Sequence, residues 1–406
     1  MTIEFTMVQS IGFAVVLLLI GRFLRSHISF LERFAIPSPV IGGFLFALIN
    51  LVFHYTQWVT ITFDSTLQSF FMILFFTSIG FGASPMVLKK AGPKVAIFLS
   101  VAVGLVILQN LVALGLAPVL HVPGPIALMT GSTSMTGGHG TSAGIAPLVE
   151  AAGLKGAESV AYTAATFGLV VGSLIGGPIA ARLIRSKNLA DIHDKDKKDY
   201  SFLRETMHPL DTERMTTGFI WLLVAMFAGS YITDAINHVI QGWTAMAQFP
   251  AYLGPMIFGV LARWLSDRRY ARKGGVEIVA HQEIEVIGNV SLSLFLAMAL
   301  MSVKLWDLGS LALPLVALLA AQTILAFLYV RFVTFKAMGS TYDAAVLLAG
   351  HAGFGMGATP NGVANMESVT RKFGPSPTAF FVLPVVGGMF IDFFNVFIIT
   401  IFLTLV

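Results

Sequence analysis

Two glycine-rich stretches carry the residue types that could bind a charged solute. The first, residues 131–144, reads GSTSMTGGHGTSAG, and the second, residues 350–362, reads GHAGFGMGATPNG. Each holds five glycines, and a glycine inside a helix costs about 1 kcal/mol relative to alanine. We therefore predict that both stretches interrupt a helix and leave backbone groups free to bind a ligand.

Free backbone groups of this kind can bind either sign of charge. The N-termini of half-helices present N–H groups and a positive dipole end to carboxylates, whereas free carbonyls and hydroxyls coordinate cations. Small residues also serve close helix packing, and that interpretation suits Gly168, Gly172 and Gly176, which recur every four residues. It fits the two stretches less well, because packing requires neither hydroxyls nor histidine.

The composition indicates the environment in which these stretches lie. The chain has 406 residues, of which 56% are hydrophobic and 11% charged, with a mean hydropathy of +0.82 and no cysteine. A soluble domain averages about 25% charged residues, so this chain has too little charge for a water-exposed surface. The sequence predicts a polytopic membrane protein and excludes disulfide scaffolds and cysteine nucleophiles.

Ten apolar stretches are long enough to cross a bilayer, which takes about 20 residues. If the first enters the cytoplasm, 23 of the 25 Lys and Arg residues fall in cytoplasmic loops, leaving out only Lys155 and Lys304. The positive-inside rule therefore supports both termini on the outer side of the membrane. The net charge of +4 then reflects basic cytoplasmic loops and does not indicate a nucleic-acid-binding surface. The stretches are residues 7–24, 38–53, 66–88, 94–119, 157–183, 215–237, 249–265, 286–303, 309–335 and 378–405.

Polar and glycine landmarks recur in both halves at offsets of 211 to 213 residues. Each half has five spans, an odd number, so the halves must face opposite ways, which is typical of secondary transporters. We expect an N-terminal repeat at residues 1–185, a charged cytoplasmic linker at 186–213 and a C-terminal repeat at 214–406. The landmarks are Gln109 and Gln322, His139 and His351, and Gly176-Gly177 and Gly387-Gly388.

The predicted fold is all-α and integral to the membrane, with ten transmembrane helices in two inverted five-helix repeats. Each repeat should contain a re-entrant helical hairpin, at residues 124–150 and 342–368. Non-helical backbone at membrane depth is tolerated only where it lines a cavity or a ligand. The first hairpin should enter from outside and the second from the cytoplasm, so that their tips meet near the middle of the membrane.

Several long motifs identify a family. They are SMTGGHGT within residues 131–141, GNVSLSLFLAMALM at 288–301, KLW at 304–306, YDAAV at 342–346, the stretch 350–360, ANM at 364–366, FGPS at 373–376 and FID at 390–392. With these motifs the chain resembles the bacterial sodium/glutamate symporters over nearly its whole length, less so in the linker and at the N-terminus.

The resemblance implies Na⁺-coupled uptake of L-glutamate across the bacterial inner membrane, with Na⁺ as the coupling ion and no organic cofactor. It also implies a lipid-embedded homodimer, in which each protomer has a scaffold domain and a moving transport domain. Both termini would then be periplasmic, and the protein would not be an enzyme.

For glutamate, we expect the hairpins to supply the binding groups, because no Lys or Arg is predicted at membrane depth. Amides and hydroxyls would bind the carboxylates, and amide side chains, Asp392 or carbonyls would bind the ammonium group. His139 could equally act as a buried, neutral hydrogen-bond donor. The expected substrate ligands are Ser134, Thr136, Gly137, Gly138, His139, Thr141, Thr359, Asn361 and Asn365.

For Na⁺, Asp392 is the leading candidate ligand because it is the one acid well inside a predicted span, where ionisable groups are expensive. Asn395, three residues on, lies on the same helical face. Hard cations prefer oxygen ligands, so we expect Asp392, Asn395, Gly355 and Gly357 to bind Na⁺. The alternative for Asp392 is a structural hydrogen bond or a counter-ion to a histidine.

Three other functions share parts of this pattern. Glycine-rich re-entrant loops also build channel filters, and a hydroxycarboxylate carrier for citrate or malate could have the same architecture. An intramembrane enzyme is the least favoured, because the sequence has neither a His-Glu-x-x-His zinc motif nor Gly-x-Ser-x-Gly.

Overall fold

The computed structural model describes residues 2–33, 36–84, 92–189, 209–241, 249–273, 280–309 and 311–406. Most of the expected linker, residues 190–208, lies outside these described residues, as do Lys89 and Lys90 of the positive-inside argument.

Helices make up nearly all of the described chain. The first half contributes α1 (Met7–His27), α2 (Ser29–Arg33), α3 (Ser38–Thr56), α4 (Thr66–Gly82), α5 (Pro93–Leu116), α6 (Gly124–Leu128), α7 (Gly138–Ala151) and α8 (Ala157–Ser186). The second half contributes α9 (Thr212–Gln241), α10 (Leu253–Lys273), α11 (His281–Met301), α12 (Ala312–Ala337), α13 (Tyr342–Phe354), α14 (Thr359–Phe373) and α15 (Pro377–Thr404). A π-helical turn interrupts α12 at Val330–Thr334 and α15 at Val386–Phe390.

Within the described residues, eight helices are long and apolar enough to cross a membrane: α1, α3, α5, α8, α9, α11, α12 and α15. They expose large apolar side chains, such as Phe227 at 68% and Leu313 at 82%, which lipid accommodates and water does not. The chain is therefore a multi-pass membrane protein, as predicted. Two expected spans are less clear, because α4 has only 17 residues and α10 ends in charged residues, so the count of ten stays a prediction.

The described chain is helical, as predicted, apart from loops and one short pair of strands. Strands β1 (Thr2–Phe5) and β2 (Thr60–Phe63) pair in parallel. Their sequences, TIEF and TITF, consist mostly of β-branched and aromatic residues, which favour strands. The rings of Phe5 and Phe63 lie 5.1 Å apart. The paired residues are more than fifty positions apart in the sequence, so no pattern of neighbouring residues could predict that they pair.

An acid outside the predicted spans is completely buried. Helix α11 begins at His281, ahead of the predicted span at 286–303, and it buries the Glu283 side chain completely. The Nε of Arg214 donates to Oε1 of Glu283 at 3.2 Å. The sequence could not reveal this ion pair, because its partners are 69 residues apart.

The chain divides into two compact units, each drawn from both halves of the sequence. Unit 1 comprises Met1–Ser84, Ala143–Tyr162 and Pro209–Ala312, and unit 2 comprises Pro85–Ser142, Thr163–His208 and Leu313–Val406. The division into sequence repeats at 1–185 and 214–406 is a separate matter and stays a prediction.

Unit 1 packs its helices through glycine contacts. A Cβ at Gly42 of α3 would lie 1.9 Å from the carbonyl oxygen of Leu17 in α1, and one at Gly80 of α4 would lie 2.1 Å from that of Met256 in α10. Such distances show backbones in direct contact, the arrangement that small residues permit in membrane proteins.

In unit 2, glycines of α8 also bring backbones into direct contact. A Cβ at Gly168 would lie 2.0 Å from the carbonyl oxygen of Met356, and one at Gly176 would lie 2.6 Å from that of Ala349 in α13. Gly172 lies between them, with the Ala352 carbonyl 3.1 Å from its Cβ position. The packing interpretation of these three glycines is thereby confirmed.

The order of elements in unit 2 repeats along the chain. In the first half, α5 is followed by the broken pair α6 and α7 and then by α8, and in the second half α12 is followed by α13, α14 and α15. Both glycine-rich stretches thus lie between two long apolar helices.

Candidate functional site

The first glycine-rich stretch interrupts its helix, as predicted. Between α6 and α7, residues 129–137 form irregular turns (the first break) held by internal bonds, such as Gly137 N–H to the Ser132 carbonyl at 2.9 Å. The Ser134 hydroxyl donates to the Met129 carbonyl and lies 3.0 Å from the Ser142 hydroxyl oxygen. Ser134 is completely buried, so this segment is an ordered part of the interior.

The second stretch also breaks a helix. Residues 355–358 (the second break) separate α13 from α14, and Gly355 N–H donates to the His351 carbonyl at 2.8 Å. Helix α14 starts at Thr359 with Pro360 in its first turn, and no side chain caps its N-terminus. Pro360 has no N–H, and the N–H groups of Asn361 and Gly362 donate to the Ala358 carbonyl at 3.0 and 3.2 Å. The break therefore receives the positive dipole end of α14 and the N–H of Thr359.

The two breaks contact each other inside unit 2. Gly138, with φ +58, is so close to the second break that a Cβ there would lie 2.6 Å from the Gly357 carbonyl oxygen. A left-handed φ and a backbone neighbour at this distance both require glycine. The predicted depth of the contact in the membrane remains a prediction.

One side chain bridges the two breaks. Gln109, completely buried in α5, donates from Nε2 to the Gly355 carbonyl at 2.7 Å, and its Oε1 accepts from the Thr136 hydroxyl at 2.8 Å. Its backbone carbonyl accepts from Nε2 of Gln322 in α12 at 2.8 Å. Both glutamines that mark the sequence repeat thus take part in one buried hydrogen-bond chain.

The first break is also bonded to α5 and α15. Asn110 and Ser132 exchange two hydrogen bonds, from Nδ2 to the hydroxyl at 2.8 Å and from the Ser132 N–H to Oδ1 at 3.0 Å. Nδ2 of Asn395 donates to the Ser132 carbonyl at 3.2 Å. Amide side chains therefore replace the helical bonds that the break lacks.

Three buried oxygens near this network have no hydrogen-bond partner within the described part of the chain: Oδ1 of Asn395, Oε1 of Gln322 and Oγ1 of Thr133. A buried acceptor without a donor costs about 1–3 kcal/mol, and a bound cation or substrate group would remove that cost. Sequence reasoning singled out Asn395 alone among the three. A further sequence signal for buried polar groups is an amide side chain midway along an apolar span. Gln322, Gln109 and Asn110 all show it.

The Asp392 carboxylate lies three residues before Asn395, just after the π-helical turn in α15. It is partly exposed, and it makes no hydrogen bond or ion pair with any described residue. The predicted partner Gly355 already accepts at its carbonyl from Gln109. No group of three or more His, Cys, Asp or Glu residues that could hold a metal occurs among the described residues.

The two histidines have different surroundings. His139, at the start of α7, is buried, and its Nε2 lies 2.9 Å from the Thr166 hydroxyl of α8. Nδ1 of His351 lies 2.9 Å from the Thr334 hydroxyl, and its ring stacks on Phe354. Each imidazole thus has one hydroxyl partner from a neighbouring helix.

The amide side chains of α14 hold this helix against α8. Nδ2 of Asn361 donates to the Leu169 carbonyl at 3.0 Å and to the Ser173 hydroxyl at 2.8 Å, and Nδ2 of Asn365 donates to the Gly172 carbonyl at 2.9 Å. Asn361 lies in the first turn after the second break, whereas Asn365 lies one turn further along α14. The role of both as substrate ligands stays a prediction.

The remaining predicted ligands lie close to the breaks. Thr141 is buried beside Gly137, whose Cβ position is 2.4 Å from the threonine Oγ1, and Thr359 lies beside Gly387, whose Cβ position is 2.8 Å from its Oγ1. Gly137 and Thr359 are partly exposed.

Comparison with known proteins gives matches of three kinds. The family model described as Sodium/glutamate symporter matches residues 3–375. The chain is 42% identical to the sodium/glutamate symporter of Escherichia coli (strain K12) and 37% identical to that of Haemophilus influenzae, in both cases over 97% of this chain and 96% of the relative. Among solved structures, the sodium proton antiporter MjNhaP1 from Methanocaldococcus jannaschii aligns at a TM-score of 0.42 and 15% identity, covering 98% of this chain and 96% of that one.

The sequence matches name a transporter. They do not favour the hydroxycarboxylate carrier or the channel that the sequence left open.

Proposed function

Because the chain belongs to the sodium/glutamate symporter family, we propose that it carries L-glutamate into the cell together with Na⁺ by alternating access. The full-length match to the curated symporters is the observation on which this proposal rests. Two broken helices in contact inside unit 2 support it, because interrupted helices at corresponding positions of two halves are typical of transporter binding sites.

Coupling to Na⁺ has an electrostatic reason. Glutamate crosses with a net charge of about −1, and an inside-negative potential opposes its entry by about 2.3 kcal/mol per 100 mV. One Na⁺ makes the step electroneutral, whereas two or more allow the potential itself to drive accumulation.

The substrate would bind at the breaks. The N-terminus of α14 offers a carboxylate its positive dipole end and the N–H and hydroxyl of Thr359, and the first break offers a second set. These groups bind anions without a buried Lys or Arg. The proposed substrate ligands remain Ser134, Thr136, Gly137, Gly138, His139, Thr141, Thr359, Asn361 and Asn365.

Na⁺ would bind beside them on α15. The partner-free Oδ1 of Asn395 and the Asp392 carboxylate support this placement, since Na⁺ requires several oxygen ligands in place of its water shell. Carbonyls of the second break at Gly355 and Gly357 complete the proposed set.

The wider assembly is proposed on the same basis. Ten spans in two inverted repeats would place both termini in the periplasm and the linker at 186–213 in the cytoplasm, in the bacterial inner membrane. The breaks would be the tips of re-entrant hairpins at 124–150 and 342–368. Two copies would form a homodimer, whose mass in detergent by light scattering would be twice that of one chain.

The test is uptake of labelled L-glutamate into proteoliposomes that contain the full chain. We expect accumulation with an inward Na⁺ gradient and none when K⁺ replaces Na⁺. Excess unlabelled L-glutamate should abolish uptake, whereas citrate and malate should not. Uptake that is indifferent to Na⁺, or competed by citrate instead, would refute the proposal.

A further inference from the structure

We propose that Gln109 is a positioning residue that couples the binding of Na⁺ to the binding of glutamate. This inference rests on the proposed function and extends it, because it concerns a residue that touches neither solute in that proposal. Its basis is the place of the Gln109 amide, which is bonded to the first break at one atom and to the second break at the other.

The orientation of this amide is determined by its neighbours. Nε2 faces the Gly355 carbonyl at 2.7 Å, and a carbonyl only accepts. The opposite orientation would put two acceptor oxygens against each other, so Oε1 must face the Thr136 hydroxyl. The bridge therefore has one donor arm and one acceptor arm, and each arm serves a different break.

A second glutamine bonds to the backbone of Gln109. Nε2 of Gln322 donates to the backbone carbonyl of Gln109 at 2.8 Å, which joins α12 to the same point of α5. Both glutamines are completely buried, so neither amide can exchange its protein partners for water. In such surroundings a hydrogen bond that is lost is not replaced.

These contacts make the two breaks interdependent. A solute that orders the second break fixes the Gly355 carbonyl. This carbonyl is linked to Thr136 of the first break by the two short bonds of Gln109 and by a longer direct contact with the Thr136 hydroxyl at 3.4 Å. A second solute at the first break then binds to groups that are already ordered. The conformational entropy lost on ordering the two breaks therefore opposes the binding of the first solute only. The coupling is reciprocal, as any linkage between two binding equilibria must be.

The experiment measures the factor by which saturating Na⁺ lowers the Kd for L-glutamate. Labelled glutamate binding to the purified full chain in detergent is compared in Na⁺ and in K⁺. We expect Gln109→Leu to reduce this factor by about fivefold or more. Gln109→Met, of similar length, should reduce it too, because a thioether cannot donate to the Gly355 carbonyl and is only a weak acceptor for the Thr136 hydroxyl.

The control is Ser100→Ala on the same helix, because the exposed Ser100 hydroxyl bonds only to the Ala96 carbonyl of its own helix. It should leave the factor unchanged. A merely structural role for Gln109 would lower the number of binding sites without changing the factor.

If Gln109→Leu does not fold, the Gln109→Met variant, whose side chain is of similar length, decides the matter. A wild-type factor in either folded variant would contradict the inference. Wild-type binding that does not respond to Na⁺ would instead refute the proposed function and the inference with it.

Discussion

At the scale of single residues, several uncharged amides lie buried in the largely apolar interior of unit 2. Gln109, Asn110, Gln322 and Asn395 are all completely buried, and each bonds to backbone or hydroxyl groups of another helix or break. Amides bond to irregular backbone without the desolvation cost of a charge. Asp392, which lacks a partner among the described residues, is the exception that a cation would explain.

Replacement of Asp392 should weaken Na⁺ activation. We expect Asp392→Asn to raise the Na⁺ concentration for half-maximal uptake by about tenfold or more, which corresponds to about 1.4 kcal/mol. Glu367→Gln is the control, since Glu367 is an exposed carboxylate that pairs with Arg371 in the same unit. An Asp392→Asn protein with unaltered Na⁺ dependence would remove this residue from the site.

Removal of the Asn110 amide should destabilise the first break. Asn110→Leu leaves the buried Ser132 N–H without its acceptor, at a cost of about 1–3 kcal/mol. The thermal midpoint of the detergent-purified protein should fall. Thr323→Val, which removes a hydroxyl bonded only to the Leu319 carbonyl of its own helix, should have a smaller effect. Equal midpoints for Asn110→Leu and wild type would contradict this account.

At the scale of elements, hydropathy located the helices and glycine located their interruptions. Helix α8 matches its expected span closely, whereas α11 starts earlier than predicted because the Arg214–Glu283 pair permits an acid in its first turn. The strand pair β1–β2 was not predicted. Helices depend on neighbours in sequence, but a strand depends on a partner elsewhere in the chain.

The glycines of α8 provide a test at this scale. Gly168→Ala would place a Cβ 2.0 Å from the Met356 carbonyl, and overpacking of this kind typically costs about 1–3 kcal/mol. We expect a lower thermal midpoint and reduced uptake. Gly115→Ala in α5 is the matched control, because nothing lies within 4 Å of its Cβ position. A Gly168→Ala protein as stable as Gly115→Ala would refute the close packing.

At the scale of the whole molecule, the distribution of charge makes the topology testable. The chain contains no cysteine, so single cysteines can be introduced without further substitution. A membrane-impermeant maleimide on intact cells should label Thr2→Cys and Leu405→Cys. Ser186→Cys should react only after permeabilisation. If Ser186→Cys were labelled from outside and the two terminal cysteines were not, the orientation would be the opposite of the proposed one.

By itself, the sequence determined the membrane environment, the family and the positions of the two breaks. Hydropathy, charge placement and glycine content act on neighbouring residues, so they can be read along the chain. Only the tertiary structure decided that Gln109 meets Gly355, 246 residues away, and that Asn395 meets Ser132, 263 residues away. Such contacts depend on how long helices pack, and an amide in an apolar span has the same local pattern whether it bonds to a break, to a neighbouring helix or to a cation.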